Sequence, residues 1–262
     1  MKPKFLLLFL FLSFIAKAQT NELLEEIKET KNNKLIEFIE KQEPVFNELE
    51  SYLKEIAKEE FNAKYDSINS LKFDKLMRFY IQIELNSRGL YKISKSRKQL
   101  ILLSDYLETR LENVDKLYAA FISKRFEEKE ILEKTDILQF NETPLDSIIE
   151  IRPVYEPCKE NADVDLCTVD YIRKKVANSL YPPEIREIGN IKLKTIAQII
   201  INKSGHIAFA TIKESCGYFE YDMELIRVFN KVFINDKFIP AQQNGKIVKC
   251  RYALPVTFQI EY

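Results

Sequence analysis

Histidine occurs once in the 262 residues and tryptophan not at all, beside five glycines, nine prolines and four cysteines. One His with no His/Cys clustering removes most hydrolase triads and most transition-metal sites. No glycine-rich phosphate loop, nucleophile elbow or pair of carboxylates on a common element is present. A charge surplus is missing too: 40 Lys and Arg face 40 Asp and Glu, without the concentrated basic footprint of a nucleic-acid protein. At 46% hydrophobic residues the chain lies well above the apolar floor of disordered sequences, and its length allows one large domain or two small ones. The expectation is a non-enzymatic protein without cofactor or metal that works through protein contacts.

Long apolar runs are absent except at the start. Lys2 and Lys4 precede Phe5 to Ala16, interrupted only by Ser13, and Ala16-Lys17-Ala18 places small residues where a signal peptidase reads. Twelve helical residues reach roughly 18 Å, short of the ~30 Å hydrocarbon core. The layout is that of a signal peptide cleaved after Ala18, and no Cys lies near the site to make a lipoprotein. The mature chain is expected to be periplasmic and without a transmembrane span. These 18 residues carry three lysines and no acid, so the remainder sums to −3.

Between Pro44 and Pro144 there is no proline, and Gly89 is the only glycine before Gly189, which makes that stretch helical by default. Apolar residues at three- and four-residue spacing predict helices over roughly 21–43, 45–63, 67–88 and 96–131, with Pro44 at a first-turn position. A bundle core accounts for these stripes. Residues 136–150 read as a linker and 151–262 as a second domain, so the organisation is 1–18 signal peptide, 19–135 helical region, linker, C-terminal domain.

The second domain holds all four cysteines and four of the five glycines. Asp165 to Leu180 reads as a helix stopped before Tyr181-Pro182-Pro183. Ile191 to Ile201 is a β-branched strand, Asn202-Lys203-Ser204-Gly205 a hairpin turn, His206 to Ser215 the return strand, Tyr221 to Val232 a second helix and Ile247 to Tyr262 a third strand. In that last strand Val248, Cys250, Tyr252, Leu254, Val256, Phe258, Ile260 and Tyr262 alternate with Lys249, Arg251, Ala253, Pro255, Thr257, Gln259 and Glu261, as expected of a sheet with helices on one side. The fold class is α+β: an N-terminal all-α helical bundle, then two helices packed on one face of a three-stranded antiparallel sheet in the order second, first, third.

The succession Pro153-Val154-Tyr155, Cys158, Cys167, Tyr181-Pro182, Ser204-Gly205, Asp222-Met223-Glu224, Phe238-Ile239-Pro240-Ala241, Asn244-Gly245-Lys246 and Leu254-Pro255-Val256-Thr257-Phe258 resembles the TonB C-terminal domain, in its Bacteroidetes version, over about 110 residues. The resemblance implies a periplasmic module that docks TonB-dependent outer-membrane receptors by adding the receptor's TonB-box peptide as a strand beside the last strand. The balanced charge, for its part, argues against a nucleic-acid partner. Family members that transmit the proton-motive force carry a membrane anchor and a Pro-rich spacer, where this chain has a signal peptide and helices. A binding module is therefore the expected role. The alternatives are an envelope structural or assembly protein using the same fold for other partners, or an anchored transducer if the N-terminus is retained.

A helix crossover returning beside the first strand leaves the third strand at an edge. Pro255 has no N–H, so its parity should face the free side. Arg251, Ala253, Thr257 and Gln259 would then offer main-chain bonds to a partner. An equal alternative is that Pro255 only blunts the edge against aggregation. Tyr181 and Pro182 resemble the family's Tyr-Pro motif near the bound peptide, and also suffice as a helix stop. In an exported chain Cys158 and Cys167, bracketing a short loop, are expected to form a disulfide. Cys216 and Cys250 fall at opposite ends of the sheet in this strand order, so either the order is wrong or both remain thiols.

Overall fold

The structure, a computed structural model, describes residues 19–58, 66–136, 151–181, 183, 190–243 and 245–260. Residues 1–18, expected to be a signal peptide, nearly all of the expected linker, and Pro182 lie outside the described residues. The chain is mixed α+β and divides into two compact units. One is built chiefly from 19–58 and 78–121, and the other centres on 151–181 and 190–260.

The described residues from 19 to 136 are helical, and of these 66–77 and 122–136 group with the second unit. Residues 19–29 form α1, followed by α2 (Asn33–Ile56), α3 (Asp66–Ser87), the single turn α4 (Leu90–Ile93) and α5 (Arg97–Asp136). The break expected at Pro44 is absent: Pro44 lies inside α2. The chain instead turns at Lys31, whose φ is +52°, and Asn32 caps the new helix by accepting the Lys34 N–H at 3.3 Å. Pro44 removes one helical hydrogen bond. Burial of Leu35, Phe38, Ile39 and Gln42 before it, and of Val45, Phe46, Leu49 and Leu53 after it, on one continuous face offsets the loss. The Gln42 amide donates to the Ile83 carbonyl at 3.2 Å and to Ser87 Oγ at 3.0 Å, tying α2 to α3. On α5, Tyr106 donates to Glu43 at 2.8 Å. Arg110 donates to Asn47 at 2.9 Å, stands 3.1 Å from Glu50 and lies over the Phe46 ring.

The second unit contains β1 (Val154–Tyr155), α6 (Val164–Ala177), β2 (Ile191–Ile201), β3 (Ile207–Glu214), α7 (Phe219–Val232), β4 (Phe238–Ile239), β5 (Gln242–Gln243), β6 (Lys246–Ile247) and β7 (Cys250–Ile260). The main sheet has the order β3–β2–β7, antiparallel throughout. Two small pairings were not legible beforehand: β1 with β4, and β5 with β6. Two-residue strands carry no period to detect. α6 stops at Ala177, three residues earlier than the prolines suggest, because Ser179 and Leu180 both donate to the Val176 carbonyl and close the chain into a turn.

The hairpin turn is built by Asn202, whose side-chain oxygen accepts from the Ser204 and His206 backbone N–H groups at 2.9 and 3.0 Å. Gly205 takes φ +83° to complete it. Cys158 and Cys167 form a disulfide with Cα atoms 5.8 Å apart. Closing so short a loop contributes about 2 to 3 kcal/mol. Cys216 and Cys250 carry thiols. Cys250 pairs with Ile201 beside the hairpin turn, whereas Cys216 follows β3 at the opposite end, so the strand order itself keeps them apart.

Candidate functional site

Alternation along β2 buries Leu193, Thr195, Ala197 and Ile199 and leaves Lys192 and Lys194 exposed. Opposite them, β7 runs in unbroken register over eleven pairs, from Ile191 with Ile260 to Ile201 with Cys250. Leu254 and Phe258 are buried, and Tyr252 and Val256 are half-buried on the same face. Ala253, Pro255, Thr257 and Gln259 are exposed on the other face, with Arg251 half-buried at its end. Among the described residues the sheet order ends at β7.

α7 fixes this strand from beneath. The Tyr221 ring meets Phe258 edge-on at 5.3 Å. One helical position further on, Thr195 donates its hydroxyl to Asp222 Oδ1 at 2.7 Å, locking β2 to the helix, and the Cys216 N–H reaches the same oxygen at 3.4 Å. Asp222 is fully buried, and by distance and angle its other oxygen makes no hydrogen bond among the described residues. Burial pushes the carboxyl up to about 6, with opposing contributions from Ser215 and Thr195. Burial, reinforced by the negative Asp222, also pushes the Cys216 thiol well above its ordinary range. A thiol held protonated in this way is a packing group, not a nucleophile.

The sign of the Asp222 effect follows from linkage. The folded state holds its proton more tightly than the unfolded chain, so the contribution to stability is full below pH 3.8 and is lost as pH rises through about 6. The expected loss is on the order of 2 to 3 kcal/mol. Urea titrations at pH 4, 5, 6 and 7 should show that decline in the native protein. In Asp222→Asn, which keeps an oxygen for Thr195, the decline should be absent.

The sequence-predicted Tyr181 is 71% exposed. Its backbone N–H donates to Glu224 Oε1 at 2.9 Å, and Arg227 grips that carboxylate with two bonds of 2.6 Å while also donating to the Ser179 carbonyl. The chain leaving α6 is thereby tied to α7 while the Tyr181 ring stays in solvent. Sequence reading missed the buried acids Glu220, Asp222 and Glu224 in the first turns of α7. Their i, i+2, i+4 spacing puts no two successive members on one helical face, so it does not read as a cluster. His206 is exposed, its Nδ1 lying 3.1 Å from the Asp236 carbonyl. No group of three or more metal-ligating side chains occurs among the described residues. No described helix is long and apolar enough to cross a membrane. No family model, no curated protein and no solved structure matches this chain.

Proposed function

We propose that the chain is an exported protein-binding module of the TonB C-terminal kind, which takes up an extended peptide of a TonB-dependent outer-membrane receptor along β7. The observation that carries this reading is an eleven-residue strand that ends its sheet among the described residues, with a proline at its centre. Pro255 faces Ile196 without interrupting the register. Having no N–H to give β2, it suits a pair that exchanges no backbone hydrogen bonds, in which both residues turn their main-chain groups away from each other. By parity, Ala253 and Thr257 turn theirs the same way, toward the outer side. An added strand would meet carbonyls at all three positions and N–H groups at Ala253 and Thr257.

The helices α1 to α5 occupy the chain where a transducer of this family carries a Pro-rich spacer, and this supports a docking role over transmission of energy. The test is capture by the full chain from an outer-membrane extract. TonB-dependent receptors should be recovered, and Thr257→Pro, which deletes an outward N–H while sparing the ladder to β2, should reduce recovery at least tenfold with an unchanged circular dichroism spectrum. Recovery of other envelope proteins through the same strand, and of no receptor, would favour the envelope-assembly role. Capture unaffected by Thr257→Pro would sink both.

A further inference from the structure

The face of the sheet turned away from α7 is charged in one sense where it approaches the outer side of β7. Its successive pairs are Lys192 with Gln259, Lys194 with Thr257, Ile196 with Pro255, Gln198 with Ala253 and Ile200 with Arg251. Three of these ten residues are cationic and none is acidic. Lys192 and Lys194 are exposed, and neither makes an ion pair among the described residues. Among the described residues the strand-borne acid on this side, Glu214, sits across Ile196 on β3, away from β7; Glu261, of the same parity in the last strand, lies outside them.

A strand added beside β7 lies about 4.8 Å from it and about 9.6 Å from β2. Across that gap stands the short Thr257 side chain in front of Lys194, so a lysine and a glutamate extended toward each other can meet over it. On the opposite face the same strand would present alternate residues to Tyr252 and Val256, which are half-buried and mainly apolar. A second copy of this chain pairing through its own β7 would bring Lys192, Lys194 and Arg251 against a like set, and like charges disfavour it.

Building on the docking role proposed above, we infer that β7 selects extended peptides whose side chains alternate apolar toward the helices with acidic toward the open sheet face. Lys192 and Lys194 are the specificity residues.

The test uses the full chain and three fluorescein-labelled heptapeptides in which valine alternates with glutamate, glutamine or lysine, read by fluorescence anisotropy. At low salt the glutamate peptide should bind about five- to tenfold tighter than the glutamine peptide, as two exposed ion pairs permit, and the lysine peptide weakest. High salt should shrink the difference. In the double variant Lys192→Glu, Lys194→Glu the order should reverse, with the lysine peptide tightest. If the peptides bind and Thr257→Pro abolishes binding, but the glutamate preference is absent or survives charge reversal, the selectivity inference falls and the docking role stands. If none of the three binds, the docking role falls and the inference with it.

Discussion

Gly205→Ala should unfold the second unit more readily than any other single-methyl change in it, at a cost of about 3 to 5 kcal/mol. Two effects add. The residue sits at φ +83°, where an L side chain costs roughly 1 to 2 kcal/mol. A Cβ built there would also run into the Phe238 carbonyl oxygen, with the carbonyl carbon only 3.0 Å away. Backbone cannot swing aside as a side chain can. Phe238 donates its N–H to the Gly205 carbonyl at 2.8 Å, is fully buried and pairs with Tyr155 across β1 and β4. Relieving the clash therefore means displacing that small sheet.

Gly217 supplies the internal control. Its φ is +91°, yet nothing lies within 4 Å of a Cβ there, so Gly217→Ala should cost only the conformational part, about 1 to 2 kcal/mol. Gly205→Asn separates the two effects at the hairpin, because asparagine tolerates the left-handed region but still carries a Cβ. Urea unfolding should show Gly205→Asn nearly as damaging as Gly205→Ala. Equal, small losses for all three variants would show that the approach of Phe238 does not matter.

Arg110→Met in the helical unit should cost about 3 to 5 kcal/mol, through charge rather than volume. Arg110 is 8% exposed. Its guanidinium stands 3.1 Å from Glu50 and 3.7 Å from Glu43, donates to Asn47 and covers the Phe46 ring. Methionine fills most of the space, but it leaves Glu50, whose side chain is 11% exposed, without its nearest cation. Removing both charges should hurt less than removing one. The double variant Arg110→Met, Glu50→Met should recover a large part of the loss. Thermal unfolding followed at 222 nm would register both changes. A double variant as unstable as the single would show that Arg110 acts through packing on Phe46 instead.

Much of the second unit was legible in residue order. Ile191 to Ile201 is a strand with those bounds because β-branched residues run without a break between turn-forming ends, and β7 shows itself by strict alternation over its whole length. Strand order followed from connectivity: a hairpin and then a crossover through α7 leave only one free side beside β2. The Cys158–Cys167 bridge followed from spacing and export context. In the helical unit the same reasoning failed at Pro44, where a local rule about one missing hydrogen bond was outweighed by a face of apolar residues continuing on both sides. On α5 the helix itself was legible, but nothing in its spacing marked Arg110 as buried. Composition assigns leucine inward and arginine outward, and only the placement of Glu43 and Glu50 on the neighbouring helix makes a buried Arg110 tolerable.

The candidate docking strand divides the same way. That β7 would be an edge, with Pro255 marking its outward parity, is decided locally, because proline lacks the N–H a ladder needs and side chains alternate without exception. Which of the described residues face Lys192 and Lys194 across the sheet depended on the register between β2 and β7, a relation between segments some sixty residues apart. The buried Asp222 belongs wholly to the tertiary level. An aspartate in the first turn of a helix is by itself a solvated capping residue, and it becomes a buried carboxyl held near pH 6 only where Thr195 of β2 and the turn at Cys216 close over it. Local rules act through hydrogen bonds and periodicity within a few residues, whereas burial of charge is fixed by whatever the fold brings against it.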